Sequence, residues 1–190
     1  MEQVKKQRTA LQFTLVGLKL LLICAIVAGV ISFVYSLTAE KYEQNIRDTK
    51  SRAVGEIFGL SAPVCEEMTA AELDGTVYRV LDNGALVGYC VEVVSAGFGG
   101  DIEMTVGYTS DGEILGVSIV SLSETPGLGA KVDEESFLSQ YKGKQGSLIL
   151  GEDIDAISGA TISSRAVTDG VNKASESLRK VLAANGGVTQ

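Results

Sequence analysis

Twenty consecutive residues without a charge, Leu20 to Ala39 (LLLICAIVAGVISFVYSLTA), constrain this chain more than any other feature. At about 1.5 Å per residue, a helix of that length covers the roughly 30 Å hydrocarbon core of a bilayer. Lys19, just before the run, can extend its ammonium back to the interface. Lys5, Lys6, Arg8 and Lys19 precede the run against Glu2 alone, whereas Glu40 to Arg52 mixes both signs. The excess of cations on the N-terminal side places that end in the cytoplasm and the remainder outside. A cleaved signal peptide fits less well. The run exceeds the usual core of about 7–15 residues, and Leu37 stands where a small-x-small cleavage site needs a small residue. The expectation is a retained, single-pass anchor in the lipid bilayer of the cell (inner) membrane. Ala25 and Gly29 allow close packing on another membrane helix, and no ionisable carboxylate or Lys inside the span supplies an ion path.

The exported part is acidic. Of 16 Lys and Arg and 24 Asp and Glu in the chain, residues 41–190 hold 12 and 22, a net charge of −10. Such a surface does not release counterions from a phosphate backbone, so no nucleic acid partner is expected. The chain has no His, which removes Ser/His/Asp and Cys/His nucleophiles, imidazole zinc sites and His-ligated haem. Cys24, Cys65 and Cys90 show no CxxC spacing, and neither a metal site nor redox chemistry is assigned to them.

Periodicity divides the chain into an N-terminal segment and anchor (1–40), a stalk and helical lead-in (41–75) and a domain (76–190). Residues 40–52 continue the anchor helix, with Tyr42 and Ile46 four apart on one side. Four segments rich in Val, Ile and Tyr then predict strands, namely Thr76–Leu81, Leu86–Ala96, Ile102–Thr109 and Ile114–Leu122. Asp82-Asn83-Gly84 and Ser110-Asp111-Gly112 supply the positive-φ residues of tight hairpins, so neighbouring strands are antiparallel. A short helix at Asp133–Tyr141 and a strand at Ser147–Leu150 follow. Val167, Val171, Ala174, Leu178 and Leu182 form one apolar stripe on a helix from about Ser164 to Ala183. Ser163 or Ser164 is suited to cap its start, Arg179 and Lys180 suit its C-terminal dipole, and Gly186-Gly187 suits its end. The fold class is α+β, an antiparallel sheet with packed helices behind a single transmembrane helix.

Three glycine-bearing segments can approach a ligand: Gly97-Phe98-Gly99-Gly100, Thr125-Pro126-Gly127-Leu128-Gly129 and Ser158-Gly159-Ala160-Thr161. None is a Walker loop, and none opens a dinucleotide-binding βαβ unit. The third immediately precedes a helix, whose N-terminus suits a phosphate, and a phosphate esterified to Thr161 would sit there. By base rates alone the hydroxyls of Thr161, Ser163 and Ser164 are helix caps.

The string DAISGATISS, Asp155 to Ser164, resembles the DxxSGAT signature of the FMN-binding domains in which a flavin transferase joins FMN through its phosphate to a Thr hydroxyl. ETPGLG, Glu124 to Gly129, resembles the second signature of the same family. With the anchor and the length, the whole chain is similar to the G-subunit family of Rnf-type ferredoxin:NAD+ oxidoreductases. The related C-subunit family, of the Na+-translocating NADH:quinone oxidoreductases, is typically longer.

The resemblance implies covalent FMN on Thr161, with Ser158, Gly159, Ala160 and Ser163 around its phosphate, and Asp155 read by the transferase. It implies that Glu124, Thr125, Gly127, Leu128 and Gly129 form a loop on the isoalloxazine, with Gly99 and Gly100 as further positions of close approach. Ser123 stands where such relatives often carry a basic residue or His. The implied function is electron transfer by an extracytoplasmic domain among the other membrane subunits of an Rnf complex, which couples ferredoxin oxidation and NAD+ reduction to Na+ or H+ export. No NAD site, cluster or second substrate pocket is legible, so the chain is a redox subunit rather than a complete enzyme. The alternatives are the equivalent subunit of a Na+-translocating NADH:quinone oxidoreductase, or an anchored flavin-binding sensor.

Overall fold

The computed structural model describes residues 2–61, 63–68 and 73–184, and for 2–16, 37 and 39–48 the backbone alone. It separates into two compact units, residues 1–47 and 48–190. The first unit is helical and belongs to α1 (Glu2–Phe58). Within it Gly17–Ser36, with a mean hydropathy of 2.5, is long and apolar enough to cross a membrane, and none of its side chains is buried. Tyr42 and Ile46 lie among the residues whose side chains are not described, and Gly186-Gly187 lies beyond the described residues.

The second unit opens with the last turns of α1, which end in a Schellman-type cap. Gly59 takes φ +67°, and the Leu60 N–H reaches back to the Gly55 carbonyl at 2.9 Å. The described residues then form a five-stranded antiparallel meander in chain order: β1 (Val64–Met68), β2 (Gly75–Asp82), β3 (Ala85–Ala96), β4 (Asp101–Tyr108) and β5 (Ile114–Leu122). The β2–β3 turn has positive φ at both Asn83 (49°) and Gly84 (83°), the two-residue turn that matches strand twist. β1 is a strand that β-propensity does not reveal. Its sequence VCEEM is polar and largely exposed, and it pairs with β2 at the edge of the sheet.

Alternation divides the side chains of the sheet between two faces. Val77, Val91, Val93, Met104, Val106 and Ile119 face α3 (Thr161–Ala184), whose stripe Val167, Val171, Ala174 and Leu178 is buried against them. Each Val, Leu, Ile and Met among them contributes about 1.5–3 kcal/mol on burial. Gly170 lets α3 come down onto Met104. On the opposite face Val80 and Cys90 pack with Val54 and Phe58 of α1. Gly107 and Gly116 lie opposite each other here on β4 and β5, with Gly88 of β3 on the same face, and Ile57 and Phe58 occupy the space their missing side chains leave. Lys50 pairs with Glu92 at 2.6 Å and ties the same helical segment to β3.

Between β5 and α3 the chain is irregular. The helix expected at Asp133–Tyr141 is a single α turn, α2 (Glu135–Leu138), between 3-10 turns at Gly129–Asp133 and Ser139–Tyr141. The strand expected at Ser147–Leu150 does not form, and only Leu150 makes a bridge, to Ile154. Side chains take the backbone partners a strand would have used. Asn172 accepts from the Leu148 N–H at 2.8 Å and donates to its carbonyl at 2.9 Å, and Asp153 accepts from the Ile149 N–H at 2.8 Å. α3 also begins at Thr161, earlier than expected, so Ser163 and Ser164 lie inside its first turn instead of capping it.

Cys65 and Cys90 are free thiols. Cys65 pairs with Val80 across β1–β2, and Cys90 with Tyr78 across β2–β3, so β2 runs between them. Two strand spacings amount to about 9.6 Å, beyond the roughly 4.4–6.8 Å Cα separation of a disulfide.

Candidate flavin site

Gly159, at φ +82°, turns the chain so that the Ala160 N–H bonds the Ile157 carbonyl at 2.9 Å, and the first helical bond of α3 runs from the Ser164 N–H to the Ala160 carbonyl at 2.9 Å. Ser164 fastens the turn: its Oγ accepts from the Ile157 N–H at 3.1 Å and donates to the Ala160 carbonyl at 3.0 Å. Below it, Thr168 donates to the Ser164 carbonyl at 3.0 Å and shares a 2.8 Å bond with the buried Tyr141 hydroxyl. Thr161 is thereby fixed as the exposed first residue of α3, where the leading N–H groups have no acceptor within the helix.

Upstream, Gln140 holds Asp155 by both backbone groups: its Oε1 accepts from the Asp155 N–H at 2.8 Å, and its Nε2 donates to the Asp155 carbonyl at 3.4 Å. Asp155 itself is exposed. The loop after β5 closes on the Thr125 carbonyl, which receives the N–H groups of Leu128 and Ala130, each at 3.2 Å. Gly127 supplies the required φ of +76°.

Glu124 binds these pieces together. Its side chain is buried (8% exposed). Oε1 accepts from the Phe98 N–H at 2.7 Å and the Gly99 N–H at 3.3 Å, and Oε2 accepts from the Ser163 hydroxyl at 3.0 Å. One carboxylate therefore joins the β3–β4 turn, the loop after β5 and the first turn of α3. A Cβ at Gly97 or at Gly129 would run into this carboxylate, which explains glycine at both positions.

The three segments enclose an open cleft of about 320 Å³ lined by Phe98, Glu124, Thr125, Leu128, Gly129 and residues 159–163. Of the residues expected from the sequence, Glu124, Thr125, Leu128, Gly129, Gly159, Ala160, Thr161 and Ser163 meet there. Ser158, Gly127 and Asp155 lie outside the lining, and Gly99 and Gly100 pack on Ser123 behind it. Sequence reasoning misses Phe98 and Ile162, which are 70% and 56% exposed at the rim. A lone aromatic inside a glycine turn is the signal that could have found Phe98. Apolar walls from Phe98, Leu128 and Ile162, a backbone approached closely at Gly129 and Gly159, and a helix start bearing a free hydroxyl suit a planar ring carried on a phosphate.

Comparison with known proteins agrees with this chemistry. Residues 97–176, which include the whole cleft, match the FMN-binding domain family. The G subunit of the proton-translocating ferredoxin:NAD(+) oxidoreductase complex of Clostridium ljungdahlii is 40% identical over 108 residues, 53% of this chain and 58% of that protein. Its Na(+)-translocating counterpart in Acetobacterium woodii is 38% identical over 110 residues, 50% of this chain and 51% of that protein. The chain thus spans little more than half the length of these two relatives. The G subunit of the ion-translocating oxidoreductase complex of Methanosarcina acetivorans is 33% identical over 175 residues, 86% of this chain and 93% of that protein. In structure, the C subunit of the Na(+)-translocating NADH-quinone reductase of Parabacteroides distasonis shares the fold at a TM-score of 0.59 and 19% identity, over 75% of this chain and 96% of that one. With residues 97–176 matching the FMN-binding domain family and a relative aligned along nearly its full length, the chain belongs to the G-subunit family of ion-translocating oxidoreductase complexes.

Proposed function

We propose that this chain is the electron-carrying subunit of an Rnf-type ion-translocating ferredoxin:NAD+ oxidoreductase complex, with FMN joined by a phosphoester to Thr161. The observation that carries the reading is the exposed Thr161 hydroxyl, the first residue of α3 and part of the cleft lining, within the sequence DAISGAT. When bound, the flavin supplies one- and two-electron chemistry. The chain positions it. Thr161 would provide the ester oxygen, and the unpaired leading N–H groups of α3 with the helix dipole would favour a phosphate held there. Phe98, Leu128 and Ile162 supply apolar walls, and Glu124 holds the walls together. A covalent bond prevents loss of the cofactor by dilution outside the cytoplasm.

The apolar helix Gly17–Ser36 anchors the domain beside the membrane subunits it exchanges electrons with, its basic N-terminal flank in the cytoplasm and residues 48–190 outside. Asp155, exposed and held only by its backbone, is free to be read by the flavin transferase.

Intact mass tests the attachment. Co-expressed with an active flavin transferase, the wild-type chain gains one FMN less one water, and the Thr161→Ala variant gains nothing. An unmodified wild-type chain under the same conditions means that the motif is only a helix start.

A further inference from the structure

Within the lining of the cleft, among the described residues, Glu124 is the only charged side chain. The nearest basic residues along the chain, Lys131 and Arg165, are exposed and lie outside that lining. Glu124 is buried, and its two oxygens take three donors and, among the described residues, no cation. This is the bonding of a carboxylate, an acceptor at every contact. Hydrogen bonds hold such a charge in place without removing it.

We propose that Glu124 lowers the reduction potential of the flavin carried on Thr161, acting as a fixed negative charge in the wall of the cleft. The inference rests on the flavin assignment above. A ring that takes up two electrons with fewer than two protons gains negative charge, and a neighbouring carboxylate disfavours that gain. Burial makes the effect larger than at a surface, because little water is present to screen it. The opposing influence is the start of α3. It carries the equivalent of about half a positive charge, fades within one turn, and acts first on the phosphate at Thr161. Glu124 sets a full negative charge against that half charge. Ser163 moderates the carboxylate by donating to Oε2. The two residues therefore act on the potential in opposite directions.

Glu124→Gln keeps the shape and an oxygen acceptor for Phe98 and Gly99 while removing the charge. Ser163→Ala keeps the charge and removes one donor. Full-length wild type and both variants are flavinylated, checked by intact mass, and titrated by spectroelectrochemistry at fixed pH. The expected result is a midpoint shifted to more positive potential in Glu124→Gln and to more negative potential in Ser163→Ala. Equal midpoints, or shifts of the same sign in both variants, overturn the proposal. Hydrogen exchange of the Phe98 and Gly99 amides in the unflavinylated chain provides a readout independent of the cofactor. These amides stay as protected in Glu124→Gln as in wild type; a potential shift accompanied by lost protection assigns the effect to geometry and overturns the role of charge. A wild-type chain that gains no mass overturns the flavin assignment itself, and this inference with it.

Discussion

The most consequential residues of the site are those that cannot be larger than they are. Gly129 stands against Oε2 of Glu124, and a Cβ there would also come within 2.9 Å of the Ser163 hydroxyl. Gly129→Ala must push Glu124 out of its position, and the donors at Phe98, Gly99 and the buried Ser163 then lose their acceptor. Overpacking of this kind costs about 1–3 kcal/mol, and urea denaturation of the unflavinylated chain should show a loss in that range. Gly127, also within ETPGLG, has open space around it, and its requirement is the positive φ alone. At this scale Thr161, Gly159 and Gly129 of the cleft lining were legible, because they stand within short motifs, whereas Gly99, Gly100 and Gly127 of the same glycine segments lie outside that lining. The sequence did not reveal the partners of Glu124, which come from Phe98, 26 positions earlier, and Ser163, 39 positions later. Such partners are fixed by tertiary packing, which leaves no periodic trace in the chain.

Among the elements, α3 and the strands β2 to β5 were legible because their apolar residues recur at the periods of a helix and of a strand. β1 was hidden by its polar, exposed edge position, and the stretch around Ser147–Leu150 was misleading. Its Leu-Ile-Leu composition suggests a strand, yet Asn172 occupies both backbone groups of Leu148. The amide of Asn172 thus does for this segment what a neighbouring strand would have done. Asn172→Ala should free both groups and lower stability by about 1–3 kcal/mol, the cost of leaving partly buried polar groups unpaired. Hydrogen exchange checks the mechanism: the Leu148 amide should lose protection, while amides in the centre of β3 keep theirs until global unfolding.

For the whole domain, the titrating groups in the packed interior set an alkaline limit. Burial pushes the Cys90 thiol well above its ordinary value of 9.0, with Cys65 and Glu92 adding to the rise and Lys50 opposing it. Burial raises Tyr108 in the same direction, against the bond from Ser175. Tyr141 is pushed up to about 12, mainly by burial and against its bond to Thr168. Each group is neutral in the fold and ionises more readily in the unfolded chain, so the unfolded state releases protons first as the pH rises. Their contribution is complete below about pH 9 and is lost as the pH climbs through the raised values. Urea midpoints measured from pH 7 to pH 11 should be level to about pH 9 and then fall, and Cys90→Ser should delay the start of the fall.

The floor formed by Gly88, Gly107 and Gly116 decides where a water-soluble version of this domain can begin. Val54, Ile57 and Phe58 precede every strand, yet they are the cover of the sheet on that side. A fragment started at Val64, where the β-sheet begins, would present bare glycine backbone beside Val80 and Cys90, a flat apolar surface suited to self-association. A fragment started near Asp48 carries its own lid, so the segment that reads as a spacer in the sequence is the piece an expression experiment has to keep.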